Sequence, residues 1–195
     1  MNLYVSMGVF ALASSISPGP VNLVTLGSSI QYGFGTSMRH VTGATAGFTV
    51  LLVLTGMGIH EVMHYLPHLT GVIKWAGIIF LLYMAYRLAV DNGQIGAKKP
   101  ARGPTLLSGA IMQWLNPKAW LASLAGMGAY AASGAVSLVW QFAALYFVIC
   151  YLSLSCRAVA GMFLRQYLGN PKRVRLFNRI IALLLVCSTF YLLHE

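Results

Sequence analysis

Acidic residues are nearly missing from this chain. Asp and Glu together number 3 in 195 residues, against 13 Lys and Arg. Charged residues of either sign make up 8% of the sequence, hydrophobic residues 58%, and mean hydropathy is +0.73. Ordinary soluble domains carry about a quarter of their residues as charges, so a soluble domain is excluded and the chain reads as a polytopic helical membrane protein whose first partner is the lipid bilayer. Cysteine is also sparse: Cys150, Cys156 and Cys187 lie in apolar runs without a CxxC pair. That spacing gives neither a disulfide framework nor a metal set, and the three read as small buried hydrophobes. The N-terminus lacks the basic segment of a signal peptide, and its first apolar run leads into prolines rather than a small-residue cleavage site, so no cleavable leader is expected. The net charge of +10 comes without a basic face interleaved with aromatics, so no nucleic-acid partner is expected. The basic residues sit between hydrophobic runs, as topology signals do.

What the chain does have is long apolar runs, one of them interrupted. From Leu3 to Ile16 the sequence is continuously hydrophobic, and it resumes from Leu23 to Ile30. Between them stands Ser17-Pro18-Gly19-Pro20-Val21-Asn22. Each proline removes a backbone donor and clashes with the preceding turn, and glycine loosens the chain further. Hydrocarbon offers no partner for the freed backbone groups, so such a break is tolerated only against protein or a water-filled cavity. At ~1.5 Å per residue the break lies roughly 20 Å into the span, near the middle of a ~30 Å core. The bland alternative is a proline kink without a ligand.

Six spans fit the hydropathy: Leu3–Ile30, Val41–Met63, Gly71–Leu88, Leu106–Met127, Val136–Gly161 and Leu176–Leu193. The joints after spans one, three and five carry most of the Lys and Arg, including Arg39, Arg87, Lys98, Lys99, Arg102, Arg165, Lys172, Arg173 and Arg175. The opposite joints carry only Lys74. Positive charge marks the cytoplasmic side, so both termini are expected outside, with Trp75 and Trp140 near the outer interface. The second half echoes the first: span four contains Asn116-Pro117-Lys118, with Pro117 about half the chain after Pro18. The expected fold is therefore all-α, a single domain over 1–195 built as two inverted three-helix repeats (about 1–98 and 99–195), with helices 1 and 4 broken at their prolines. Corresponding breaks in inverted halves point to a midplane site of a transporter.

A broken helix exposes amides where it restarts and carbonyls where it stops, which suit a carboxylate and an ammonium respectively. Two such breaks fit a small zwitterion. The substrate-binding candidates are Ser17, Pro18, Gly19, Pro20, Val21 and Asn22 with Asn116, Pro117 and Lys118. The amides of Val21 and Asn22 would take the carboxylate and the carbonyls of Ile16 and Ser17 the ammonium. Lys118, roughly 20 Å deep, reads as a substrate counter-ion or a clamp on the broken backbone. Arg157 is expected to snorkel to the cytoplasmic side, and Asn178 and Arg179 face either a vestibule or the headgroups. The acids Glu61, Asp91 and Glu195 all fall away from mid-membrane. His40 and Glu61 are the candidate proton carriers, neither of them favoured.

Two other classes compete. His60-Glu61-Val62-Met63-His64 matches H-E-x-x-H, the spacing that places two imidazoles on one helix face for zinc with the glutamate as base, so a membrane-embedded metallopeptidase is a rival. Pro67 directly after it, the lack of a third ligand beyond a strained His68, and its place at the outer edge of span two all count against it. A passive channel or structural membrane protein is the other rival, since breaks alone do not prove coupling.

The residues resemble the LysE/RhtB superfamily of bacterial amino-acid exporters over essentially the whole chain. The resemblance rests on Pro18-Gly19-Pro20-x-Asn22, the Gly33 and Gly35 joint, Gly43-x3-Gly47, Lys74-Trp75-Ala76-Gly77 to Leu82-Tyr83, Gly109 to Asn116-Pro117-Lys118-Ala119, and Asn178-Arg179. It implies a six-span inner-membrane exporter of amino acids or their derivatives, driven by the proton gradient, with Pro18, Gly19, Pro20, Asn22, Asn116, Pro117 and Lys118 as the residues to carry over. Many members have an acid or amide after Pro-Gly-Pro where this chain has Val21, and a Pro-Gln pair where it has Ala125-Gly126-Met127-Gly128. The missing polar residue argues against a cationic substrate. The expected activity is secondary export of a small neutral amino acid or derivative by proton antiport, with cysteine/O-acetylserine, homoserine, threonine and leucine types all open. No cofactor and no metal are expected. The partners are the amino acid, protons and lipid; Gly43 and Gly47 would let helices approach closely, with an interface to a second copy of the chain as a further candidate.

Overall fold

The structure, a computed structural model, describes residues 2–17, 19–59, 75, 78–79, 82–83, 85–86, 88–90, 103–131, 135–167 and 170–194. Among these every regular element is helical. In chain order they are α1 (Leu3–Ile16), α2 (Pro20–Tyr32), α3 (Phe34–Leu54) running into a π-helical turn (Thr55–Ile59), α4 (Leu106–Trp114), α5 (Pro117–Tyr130), α6 (Val136–Tyr167) and α7 (Pro171–His194). Most of the third expected span, Gly71–Leu88, and the C-terminal end of the second lie outside the described residues. Phe34–Gly58 and Val136–Tyr167 are each long and apolar enough to cross a membrane, and α1 with α2 adds a third such span bent by 60°.

The breaks fall where the prolines stand. Pro20 and Pro117 are each the first residue of a new helix, the one position where a missing N–H costs nothing. The expected joint at Gly33-Phe34-Gly35 is shorter than read: Gly33 alone makes it. Its φ of 88° lies in the left-handed region, which glycine enters freely, and one such residue ends α2 and starts α3. The second span therefore begins at Phe34 rather than Val41.

α6 shows how the bundle meets its surroundings. Val139, Ala143, Tyr146, Cys150, Leu154, Ala158 and Gly161 form one buried stripe at helical spacing. Its other faces stay exposed and apolar, with Trp140, Phe147, Leu152 and Phe163 among them, as a lipid-facing helix requires. The stripe packs against α1, α2 and α3. α2 is the opposite case: short, polar and almost wholly inside, with Asn22, Thr25, Ser28, Ser29 and Gln31 all buried.

α3 and α4 make the closest crossing. A methyl group on Gly43 would collide with the carbonyl of Leu106, and one on Gly109 with the carbonyl of His40. One on Gly47 would lie 2.7 Å from Ala110 Cα. Small residues let backbones approach in this way. Gly43 and Gly47 are buried in this contact, so these two glycines do not serve a dimer interface. Backbone cannot yield as a flexible side chain can, so Gly47→Val should destabilise by about 1–3 kcal/mol and lower the melting temperature measured in detergent by fluorescence-detected size exclusion. Gly128→Ala, where nothing lies within 4 Å of the added carbon, should leave the melt unchanged.

Candidate functional site: a broken helix held by three side chains

α1 ends without a basic residue in its last turn, so its final carbonyls must find donors elsewhere. They find them on three other elements. The Ser17 carbonyl accepts from Lys118 Nζ at 2.6 Å and from Asn22 Nδ2 at 2.8 Å, which engages both of its lone pairs. Asn22 Nδ2 also lies 3.3 Å from the Ser15 carbonyl. The Ile16 carbonyl accepts from the Arg157 guanidinium. Arg157 thus reaches the break itself rather than snorkelling away, and two cations from α5 and α6 stand at the negative end of α1.

The second break follows the same logic with different residues. The Trp114 carbonyl, orphaned at the end of α4, accepts from Trp120 Nε1 at 2.7 Å. Trp114 Nε1 donates in turn to the Gly47 carbonyl at 3.0 Å, and the two indoles meet edge to face at 6.3 Å. Asn116 caps α5 by accepting the Lys118 amide on Oδ1 at 3.2 Å. Here the two halves differ. At α2 the N-cap position is Gly19, in extended backbone and with no side chain to cap it. The amides of Val21 and Asn22 therefore start a helix that no side chain caps, whereas α5 is already capped.

These parts surround a cavity of about 50 Å³, room for a few waters. Gly19, Val21, Asn22, Asn116 and Lys118 line it, so five of the nine expected site residues converge there. Ser17, Pro20 and Pro117 shape the backbone behind it, and Pro18 lies outside the described residues. The remaining wall was not anticipated: Ser14 and Ser15 from α1, Phe48 from α3, Gln113 from α4, and Tyr146, Cys150 and Leu154 from α6. Phe48 and Tyr146 pack ring on ring with centroids 4.6 Å apart, which narrows the space. A methyl on Gly19 would sit 3.4 Å from Lys118 Nζ, so the ammonium lies close to the uncapped helix start. No acid is described near the cavity, because Glu61, Asp91 and Glu195 are all outside the described residues. Asn178 is fully buried on α7, while Arg179 is exposed.

A family model for the LysE type translocator matches residues 12–195. The chain belongs to that family. Curated relatives include the cysteine/O-acetylserine efflux proteins of Escherichia coli K12, Salmonella typhimurium LT2 and Shigella sonnei. Each is 24% identical over 180 residues, spanning 91% of this chain and 90% of the relative. No solved structure matches the chain. The family match favours a transporter over the peptidase alternative. His60-Glu61-Val62-Met63-His64 lies outside the described residues, and among those described no group of three or more His, Cys, Asp or Glu could hold a metal.

In this translocator Arg157 was undervalued because a lone arginine ten residues from the end of a long apolar helix is indistinguishable, by sequence, from a snorkelling one. Arg157→Leu leaves the Ile16 carbonyl without its donor, at a cost of about 1–3 kcal/mol. The melting temperature in detergent should fall by several degrees, and Arg157→Lys should restore part of the loss.

Proposed function

We propose that this translocator is a secondary exporter of a small neutral amino acid or amino-acid derivative, working by proton antiport across a bacterial inner membrane. The observation that carries the reading is the meeting, in one cavity, of an uncapped helix N-terminus and the Lys118 ammonium. Uncapped amides and a cation together favour a carboxylate. The names of the relatives, cysteine/O-acetylserine efflux proteins, support a small polar substrate of this class. The substrate carboxylate is placed at the Val21 and Asn22 amides and Lys118.

The ammonium needs a different home from the one the sequence offered. The Ser17 carbonyl has both lone pairs engaged and the Ile16 carbonyl accepts from Arg157, so the ammonium turns to side-chain oxygens. Those of Asn116 and Gln113 each accept one hydrogen bond and keep a second lone pair, and the hydroxyls of Ser14 and Ser15 stand along the same wall. A cationic substrate side chain would be repelled by the Lys118 ammonium, which favours a neutral one. The architecture that goes with this reading is two inverted three-span halves with both termini outside. The substrate alternates between faces at the two proline breaks, and a second copy of the chain is an open partner.

Efflux of preloaded radiolabelled amino acids from vesicles tests the proposal. Intact protein should give saturable, pH-gradient-dependent export with counterflow, and Lys118→Ala at matched expression should lower it about a hundredfold, by the loss of one buried charge-assisted contact. Undiminished export in Lys118→Ala removes Lys118 from the site. Export without saturation or counterflow indicates a channel.

A further inference from the structure

The site leaves one buried ionisable side chain unused. His40, on α3, is 1% exposed, and neither ring nitrogen has a hydrogen-bond partner. A neutral imidazole carries one donor and one acceptor, and leaving both unmet in a packed interior is costly. His40 is not alone in this. Thr25 Oγ1 and Ser28 Oγ on α2 are also buried without partners. Ser37, one turn before His40, donates to the Thr25 carbonyl at 2.8 Å, which places the α2–α3 contact beside this stretch. A polar interior left unsatisfied in one conformation fits a region that takes up water in another.

We propose that His40 is the proton carrier of this translocator, dry in the conformation seen here and hydrated when the α3–α4 crossing opens. This rests on the antiport reading above. The ring takes a proton from water on one side of the membrane and returns it to water on the other. Among the described residues, the elements packed against α3 are α2, α4, α5 and α6. Their ionisable groups are Tyr32 on α2, none on α4, Lys118 and Tyr130 on α5, and Arg157, Arg165 and the α6 tyrosines and cysteines, with Arg39 on α3 itself. The ring is 1% exposed and hydrogen-bonds to none of them. Protonation therefore needs water, which needs the crossing to move. The carbonyl of His40 sits against Gly109, and α4 runs from there to Gln113 at the cavity. Along α3, His40, Ala44 and Phe48 share a face, with Phe48 at the cavity about 12 Å away. Both helices that meet at His40 thus end at the substrate, and a shift between them couples the two sites.

Purified protein in proteoliposomes tests this with two assays on His40→Gln: pH-gradient-driven export, and substrate exchange at equal pH, which needs no net proton movement. The expected result is exchange as in the wild type and gradient-driven export reduced about tenfold or more, with its pH dependence gone. Gradient-driven export that survives in His40→Gln overturns the proposal. So does loss of exchange together with export in a variant that melts like wild type, since that marks a structural role. Should His40→Gln fail to fold, a chain retaining His40 as its sole histidine is treated with diethyl pyrocarbonate during turnover. Mass spectrometry showing acylation at His40, with loss of gradient-driven export, supports the carrier role, and an unmodified ring overturns it. Wild-type protein that exchanges substrate but ignores the pH gradient removes antiport itself, separately from His40.

Discussion

The carbonyl of Ser17 is the point on which the centre of this protein depends. A helix that stops inside a membrane leaves acceptors that lipid cannot satisfy, at several kcal/mol for each one left bare. Lys118, Asn22 and Arg157 supply the donors, and they come from α5, α2 and α6. One unmet backbone demand therefore ties four helices together. It also gives a lysine deep in an apolar chain a partner: backbone oxygen at the negative end of a helix. The same arrangement leaves α2 starting with free amides, because a glycine stands where a capping side chain would be.

The two breaks are alike in design and unlike in chemistry. Each restarts on a proline, and each has its orphaned carbonyl met by a side chain from beyond the break. Tryptophans do this at Trp114, where they lock α4 and α5 to each other and to α3. Cations do it at Ser17 and Ile16. In the proposed site, a neutral clamp on one side and a charged one on the other give an anion-seeking end and a fixed wall. The glycine crossing of α3 and α4 adds a place where backbones touch with no side chain between them, so movement there transmits along both helices without loss in soft packing.

Much of this was legible in the sequence because proline acts locally. Pro20 and Pro117 start helices whatever surrounds them, so the breaks and the helical class could be read directly, with Lys118 open as either counter-ion or clamp. The family resemblance drawn from the same motifs agrees with the match over residues 12–195. What sequence could not supply was pairing at a distance. Arg157 and Ile16 are 141 positions apart, and nothing in either neighbourhood announces the other. Ser14, Phe48, Tyr146 and Cys150 look like any apolar-span residues until the bundle turns them inward. Gly43 and Gly47 were read correctly as contact residues, but whether a small-residue face meets its own chain or a second copy is decided by tertiary packing alone. Gly33 was read as part of a loop because glycines flank Phe34, although one residue at positive φ was enough.

The central claim is that the α2 start and Lys118 bind a carboxylate. Its most direct measurement is equilibrium binding to purified protein of O-acetylserine, of its carboxamide analogue and of its N-acetylated analogue. The account predicts that the amino acid binds and that the carboxamide binds at least about tenfold more weakly, a difference of ~1.4 kcal/mol, with part of that difference erased in Lys118→Ala. Equal affinity for the acid and its carboxamide, in wild type and variant alike, would contradict it.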